Sequence, residues 1–404
     1  MVILQIEASH GMGSTGRITR DIQVLVERRG WTCYVASPVY SKELSNNPHL
    51  YKVGNWFDHK LHALLCRIYG KQAYFSTLPT LRLIKFIQKI RPDIIQFHDL
   101  HSNYINLNLL LKYIAKAKIK LVITLHDCWM FTGGCFHYTS VGCNKWMKEC
   151  GNCPKRFVDT PAYFGDRSRL VLKDRIKYLN SVKDLTIVGV SQWISNQFRN
   201  SKITAQGVLT IHNGIDLNVF KPVEPTFKRR LGIEDKFVVL GPATKWFLDI
   251  NNDTLKYFID NMSSDMVLLL FGCSEKRIDL PGNVIQLEFT RNVEDLVDLY
   301  SSADVMVNCS REDTLSTINL EAQACGTPVL TYDATGSSET VDGNFGFAIE
   351  TGNFNLLYKS VMKIKEDGKC NYSDSCRAFI QTNFCKEKRY EDYIDLFNKL
   401  TLVI

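Results

Sequence analysis

Ser310 to Leu330 reads SREDTLSTINLEAQACGTPVL and gathers the groups best suited to chemistry. Glu312 and Asp313 open it, and a polar turn, Thr314-Leu315-Ser316-Thr317, follows. A short helical run then keeps Glu321 among apolar neighbours. Gly326, Thr327 and Pro328 end the run before a predicted strand, Val329 to Tyr332. Glycine past a helix end with proline close behind is a stop signal. The unpaired N–H groups and positive dipole end of such a helix suit an anion such as a diphosphate. Carboxylates at its entrance and about two turns on accept hydrogen bonds from sugar hydroxyls. A capping Asp and a solvated helix Glu share this spacing, so spacing alone does not select the functional reading.

Histidines and glycines mark further places. His98-Asp99 and His126-Asp127 each follow an apolar run, Asp93 to Phe97 and Leu121 to Leu125. Strand ends on one edge of a parallel α/β sheet are where ligands bind. A lone His there can equally bond a loop carbonyl. The first predicted strand, Val2 to Ile6, runs into HGMGSTGR, His10 to Arg17, and then a helix predicted over about Ile18 to Arg29. Glycines between a strand and a helix let backbone N–H groups approach a phosphate. A tight turn has the same composition, and the acid that a dinucleotide site wants about twenty residues on is missing.

Cys135, Cys143, Cys150 and Cys153 fall within nineteen residues that lack helix or strand periodicity. Irregular chain of that length wants something to hold it. Cys150-Gly151-Asn152-Cys153 has the two-residue spacing with which both thiolates reach one tetrahedral ion. A structural zinc is one reading, with His137 or Cys128 as substitute ligands. Reduced core cysteines are another. A redox pair is a third, without the thioredoxin-like context.

The elements that must position these groups alternate between strand and helix in both halves. Strands at about Leu185 to Val190 and Val208 to His212 complete a first domain, with Ser191 capping a helix through Phe198. The turn Asn213-Gly214-Ile215-Asp216 and the polar stretch after Phe220 put a boundary near residue 220. The second half offers strands at Phe237 to Leu240, Met266 to Phe271, Val284 to Leu287, Val305 to Val307, Val329 to Tyr332 and Phe347 to Ile349. The expectation is an α/β protein of two doubly wound, Rossmann-like domains, 1–220 and 221–385.

Composition bounds the partners. The chain has 404 residues, 45% hydrophobic and 23% charged, with a net charge of +7. Two domains are expected at that length. The scattered bases form no helix-turn-helix or zinc-finger pattern, which argues against nucleic acid. No apolar run reaches membrane-spanning length, and the N-terminus lacks the pattern of a signal peptide. A cytoplasmic protein is the expectation, and thirteen cysteines in a reducing compartment do not indicate a disulfide framework. Trp56, Phe57, Leu61, Leu64, Leu65, Ile68 and Tyr69 share one predicted helical face, with Lys60, Arg67 and Lys71 off it. Such a face predicts packing on a core; peripheral contact with the inner face of a membrane is the alternative.

The 310–330 string resembles the donor-site motif of the retaining glycosyltransferases of family four, in which an acid, seven residues and a Glu precede ACGTPV. Asp313, not Glu312, has that spacing to Glu321. The resemblance covers nearly the whole chain and is closest to enzymes that build bacterial capsule, O-antigen and colanic-acid-like polysaccharides. It implies the two-domain GT-B fold with a cleft between the domains, and a last helix, about 386–404, that crosses back to the first. It implies that Asp313 binds the donor sugar and Glu321 the nucleotide ribose, with Thr314, Leu315, Ser316 and Thr317 in the same donor site. His126 then lies near the donor sugar and the reacting centre. Gly13 and Ser14 face the donor diphosphate, while Gly16, Arg17, His98, Tyr104 and Asn106 fall on the acceptor side. Arg291 becomes a phosphate or base contact. The implied partners are a nucleotide-sugar donor and a glycan or lipid-linked acceptor. No Asp-x-Asp string is present, so no metal cofactor is expected for catalysis. The resembling enzymes also carry a His-Asp-x-Trp string followed by spaced cysteines, as here.

Two departures stand out. The family's donor site offers an Arg and a Lys after the first strand of the second domain, where this chain has Asp249 and Ile250. An Asp there repels a diphosphate, and Lys245 is the nearest substitute. The family's Gly-Gly-x-x-Glu turn is Thr335-Gly336-Ser337-Ser338-Glu339, with the first Gly lost. A donor-site-degenerate, non-catalytic homologue and a sugar-nucleotide epimerase of the same fold are the alternatives. An oxidoreductase is disfavoured by the missing ribose acid.

Overall fold

The computed structural model describes residues 1–159, 161–248, 253–273, 278–288 and 292–402. The chain divides into two compact units, Met1–His212 with Arg389–Ile404, and Asn213–Lys388.

The first unit contains β1 (Val2–Ile6), β2 (Ser9–His10), β3 (Thr32–Ser37), β4 (Val39–Tyr40), β5 (Leu50–Lys52), β6 (Ile94–Phe97), β7 (Lys120–Leu125), β8 (Leu185–Gly189) and β9 (Gly207–Thr210). Seven form one parallel sheet in the order β5-β3-β1-β6-β7-β8-β9, and β2 pairs with β4. Apolar side chains on both faces of the central strands suit a sheet covered on each side. In β1, Leu4 and Ile6 enter one core cluster and Ile3 the other. The strand order reverses between β1 and β6, which makes the C-terminal ends of those strands the switch point of this sheet.

The first helix is Gly13–Arg28, beginning five residues before the sequence prediction. Gly13, Ser14, Gly16 and Arg17 are therefore its opening turns, not a loop. The reason is contact with the preceding strand: a Cβ on Gly16 would lie 1.9 Å from the Ser9 carbonyl oxygen. Only glycine lets the helix begin so close to β2.

The C-terminal helix, Lys386–Leu402, returns to this unit. Tyr390, Tyr393, Ile394 and Phe397 pack with Ile3, Ile22, Ile94, Val122 and Val188. Each such burial contributes about 1.5–3 kcal/mol. Arg29 pairs with Glu391 at 2.6 Å on the rim. The first boundary lies after His212, not near residue 220. The Asn213 to Phe220 turn is bound to the second unit, because Lys386 pairs with Asp216 at 2.6 Å and Arg377 donates to the Phe220 carbonyl at 3.2 Å.

The Trp56–Tyr69 helix buries only His62 among the residues of its length. Its apolar face does not pack on the core, contrary to the expectation. The face is left open because the chain before and after it turns back to the sheet, with Val53 and Ala73 buried at either side.

The second unit contains β10 (Phe237–Pro242), β11 (Met266–Cys273), β12 (Val284–Glu288), β13 (Val305–Asn308), β14 (Val329–Tyr332) and β15 (Phe347–Ile349). They form a parallel sheet in the order β12-β11-β10-β13-β14-β15. Its switch point lies between β10 and β13. Helix Ala243–Leu248 leaves β10 there, and the Ser310 to Ser316 loop leaves β13 beside it. The helix after that loop is Thr317–Ala324. No helix of the described residues is long and apolar enough to cross a membrane.

Candidate functional site

The switch point of the first sheet carries a chain of side chains whose protons can be placed in turn. Gln5 Nε2 donates to the Thr19 carbonyl at 3.0 Å, so its Oε1 is the atom that faces His98. That oxygen only accepts, so His98 Nε2 carries the proton, 3.1 Å away. His98 Nδ1 is then a lone pair, and His126 Nε2 donates to it at 3.0 Å. His126 Nδ1 is left as a bare acceptor. Burial lowers the pKa of both imidazoles, and each also feels other histidines. The pair stays neutral, with its one open nitrogen able to accept but not donate.

Beside it stands a triad of one imidazole and two carboxyl groups. His101 Nε2 lies 3.2 Å from Asp127 Oδ2 and 3.7 Å from Asp99 Oδ1. Burial alone would depress His101, but its bonds to Asp127 and Asp99 prevail and hold its pKa up to about 10. Burial works against the Asp99 carboxylate too, yet the His101 hydrogen bond and the neighbouring imidazoles keep its pKa low. Glu7, fully buried, accepts from the N–H groups of Ser9 and Asp99, each at 3.2 Å. Burial first, and then the charge of Asp99, push its pKa up to about 8. At neutral pH a protonated Glu7 thus sits beside an ionised Asp99, two carboxyl groups driven apart by environment. Asp99, His101 and Asp127 bring three ligand atoms within 4.8 Å of one another.

Together with His98, His126 and Trp129, the triad lines a small cavity. The Trp129 N–H of the backbone donates to Asp127 Oδ1 at 2.7 Å, and its indole N–H to Gln72 Oε1 at 2.6 Å.

Several residues assigned to the acceptor side serve the scaffold instead. Both His98 nitrogens are engaged within the protein. Tyr104 is fully buried and donates to the Asp99 carbonyl at 3.0 Å. Asn106 caps the Leu107–Ala117 helix through the Leu109 N–H at 3.0 Å, and its amide donates to the Tyr74 carbonyl at 2.6 Å. Gly16 is buried against Ser9, while Gly13, Ser14 and Arg17 are exposed. Buried groups need such partners, which is why their polar atoms are consumed.

In the second unit, a buried amide network holds the loop after β13. Asn308 Nδ2 donates to Ser316 Oγ and to Asn319 Oδ1, both at 2.9 Å, while its Oδ1 accepts from the Ser310 N–H at 3.1 Å. Asn319 Nδ2 donates to Thr340 Oγ1 at 2.9 Å. Asp313 is half-buried, and its N–H donates to Thr335 Oγ1 at 2.9 Å. Thr314, Leu315 and Ser316 are buried, and Thr317 is half-buried. Glu321 is 6% exposed and accepts from the Tyr300 hydroxyl at 3.0 Å. Thr335 stands where the resembling turn has its first glycine, and it keeps the glycine-like backbone with φ of +57°. A β-branched residue there is strained; its hydroxyl recovers part of that cost by bonding Asp313.

Lys245 is half-buried in the helix after β10, on the neighbouring strand of the same switch point. Arg291, Asp249 and Ile250 lie outside the described residues. Cys135, Cys143, Cys150 and Cys153 are all reduced and line a single cavity. Sequence reasoning missed Gln5, Glu7, His101, Tyr300 and the Asn308 network. The position of Glu7 just past a strand end and the His98-x-x-His101 spacing were the available signals.

Solved structures place this architecture in a known class. Anabaena HepE, determined in complex with UDP-glucose, superimposes with a TM-score of 0.68 at 18% identity, over 99% of this chain and 100% of that one. WaaG, described as a glycosyltransferase involved in lipopolysaccharide biosynthesis, superimposes with a TM-score of 0.65 at 13% identity, over 98% and 99%. The fold is therefore the GT-B fold of glycosyltransferases.

The family follows from the sequence models. Residues 16–219 match the model described as Glycosyltransferase Family 4, and residues 254–383 the model described as Glycosyl transferases group 1. The chain belongs to glycosyltransferase family 4. The putative colanic acid biosynthesis glycosyl transferase WcaC of Escherichia coli is 23% identical over 322 residues, 76% of this chain and 77% of WcaC. An Escherichia coli UDP-Gal:alpha-D-GlcNAc-diphosphoundecaprenol alpha-1,3-galactosyltransferase is 26% identical over 209 residues, 47% of this chain and 54% of that enzyme.

Proposed function

We propose that this glycosyltransferase moves a sugar, with retention, from a nucleotide-diphosphate donor to a glycan or lipid-linked acceptor in cell-surface polysaccharide synthesis. What carries the reading is the loop after β13, where Asp313 precedes the Thr317–Ala324 helix and Glu321 lies within it. The helix end favours the charge that builds on the departing diphosphate. Glu321, already bonded to the Tyr300 hydroxyl, is the acceptor for ribose hydroxyls. Asp313, held by Thr335, accepts from the donor sugar. The open Nδ1 of neutral His126 takes a hydrogen bond from a sugar hydroxyl near the reacting centre. Holding the acceptor hydroxyl against the face from which the diphosphate departs gives retention. WcaC by its name, and the diphosphoundecaprenol enzyme by its substrate, support the polysaccharide and lipid-linked parts of the reading.

The test is calorimetry and turnover with a panel of sugar nucleotides. Glu321→Gln is expected to weaken nucleotide binding by about 1.5–3 kcal/mol, the worth of a charged hydrogen bond. Asp313→Asn should spare free nucleotide and weaken the sugar nucleotide. Equal nucleotide binding by wild type and Glu321→Gln sinks the ribose assignment. Interconversion of sugars without release of nucleotide would make the protein an epimerase, and silence toward every donor a non-catalytic homologue.

The acceptor's lipid fits an exposed surface of the first unit. Trp56 is 72% exposed, Phe57 65%, Leu64 53% and Tyr69 55%. The adjoining loop adds Tyr163 and Phe164, 59% and 77% exposed, and is joined to the helix by the Tyr163 N–H bond to the Arg67 carbonyl at 2.9 Å. Aromatic side chains among exposed Lys60 and Arg67 suit the interface of an anionic bilayer. Flotation with phosphatidylglycerol vesicles should carry wild type upward and leave the Trp56→Ser/Phe164→Ser double variant behind. Equal flotation of both rejects this surface.

A further inference from the structure

The chain from Cys128 to Arg167 is the longest part of the first unit without a strand or α-helix among the described residues. Its regular structure amounts to three short turns of 3-10 helix, Trp129–Phe131, Thr139–Val141 and Lys145–Met147. Irregular chain of this length is held by something other than backbone ladders. Part of the answer is apolar, since Trp129, Phe131 and Trp146 are buried in the core. The rest of the segment converges on sulfur.

Cys135, Cys143, Cys150 and Cys153 come from separate parts of the segment and line one cavity, with Lys145 and Trp146 in its wall. The turn between the last two is shaped to point both thiols inward. Gly151 has φ of +142° and Asn152 φ of +49°. Lys145 Nζ pins that turn by donating to the carbonyls of Gly151 at 3.1 Å and Asn152 at 3.2 Å. Asp166 Oδ2 accepts from the Cys153 N–H at 2.8 Å. Burial pushes the Cys150 and Cys153 thiols up, and the backbone N–H groups of Gly133 and Lys155, directed at their sulfurs, oppose part of that by favouring the thiolate.

A second observation concerns charge. Arg175 is 3% exposed and makes no ion pair among the described residues. It donates to the Thr132 carbonyl at 2.6 Å and to that of Trp129, and it lies 3.7 Å over the Trp129 ring. One guanidinium nitrogen, Nη2, has no partner. A buried cation left so is strongly disfavoured unless negative charge is near. Cys135 and Cys150 are within its electrostatic reach, as is Asp127, which His101 already occupies.

We propose that Cys135, Cys143, Cys150 and Cys153 bind one zinc ion as a tetrathiolate site that staples this segment, with Arg175 balancing its net negative charge. Four thiols lose their protons to solvent and four sulfur–zinc bonds form, with no change of oxidation state. Among the described residues, the three-ligand group within 4.8 Å is the Asp99–His101–Asp127 triad, and the thiols lie further apart than that. Zinc–sulfur bonds of about 2.3 Å draw the four sulfurs inward around the ion, and the cavity between them is the space it takes. The same segment carries Trp129, Tyr163 and Phe164, so the ion's role is to shape that segment.

The experiment is elemental analysis of protein purified under reducing conditions without a metal-binding tag, followed by zinc titration of any metal-free fraction. The expected result is about one zinc per chain, released by a mercurial and absent from the Cys150→Ser/Cys153→Ser variant. Cobalt in its place should give the visible absorption of a tetrahedral thiolate site, a readout on wild-type protein that does not depend on any variant folding. Arg175→Met should weaken zinc affinity about tenfold or more, as loss of an outer partner does, with Arg175→Lys restoring most of it. The proposal is overturned by less than roughly a tenth of an equivalent after titration, which is below any tight structural site. Zinc retained in the double serine variant but lost in Asp127→Asn would move the metal to the carboxylate triad and also overturn it. So would a mass showing Cys150 and Cys153 joined as a disulfide under the same reducing conditions.

Discussion

At the switch point of the first sheet, Glu7, Asp99, His101 and Asp127 lie side by side; at that of the second, Asn308, Ser316, Asn319 and Thr340 do. Both edges have the same topology, and each positions a loop for chemistry. The first is built from ionisable groups that set one another's charge, so its geometry depends on protonation. The second is built from amides and hydroxyls whose donors and acceptors are matched, so its geometry is indifferent to pH. Parallel sheets thus offer a place for a site without dictating what holds it.

The neutral edge should be the costlier to break. Asn308→Ala strands the Ser316 hydroxyl, the Asn319 side-chain Oδ1 and the Ser310 N–H in the interior. Each orphaned buried group costs about 1–3 kcal/mol, so the loss should reach about 3 kcal/mol or more. Urea unfolding followed by a probe in the second unit measures it. A loss below about 1 kcal/mol would mean that the network is not what holds the Asp313 loop.

The charged edge should yield less, and in a pH-dependent way. His101 is raised from 6.5 to about 10 in the folded protein. A group raised on folding stabilises fully below its unfolded pKa and loses that contribution as pH climbs to its folded value. Wild-type stability should therefore decline between roughly pH 6.5 and 10 through this residue. His101→Gln should remove that decline and cost about 1.5–3 kcal/mol at pH 6. Nitrogen NMR of labelled imidazoles sharpens the contrast: His101 should read as imidazolium at pH 8, and His126 as the neutral Nε2–H tautomer. A neutral His101 at that pH breaks the account of this edge.

Thr335→Gly should have the smallest effect. It relieves the φ of +57° and removes the hydroxyl that bonds the Asp313 N–H. Left-handed strain of about 1–2 kcal/mol and a hydrogen bond of about 0.5–1.5 kcal/mol nearly cancel. Thermal unfolding should shift little, while affinity for the sugar nucleotide falls relative to free nucleotide. A large gain in stability with unchanged sugar-nucleotide affinity would show that Thr335 is strained to no purpose.

Local sequence determined the elements and the loop that carries the acids. Continuous apolar runs and stop signals such as Gly326 and Pro328 place β6, β7, β11, β13 and β14 within a residue or two, because buried parallel strands must be apolar on both faces. The spacing of Asp313 and Glu321 is likewise a property of the chain, since one loop and one helix hold both. Tertiary structure alone decided what needs distant residues to meet. It brought Gln5 to His98 and His98 to His126, which fixes the open nitrogen of His126. It set His101 between Asp99 and Asp127, took Tyr104 and Asn106 into the scaffold, and started the first helix at Gly13 because Gly16 lies on Ser9. It also left the Trp56–Tyr69 face open where its amphipathic pattern predicted a core. Periodicity reports that a helix has an apolar face; only the packed neighbours decide whether that face is covered.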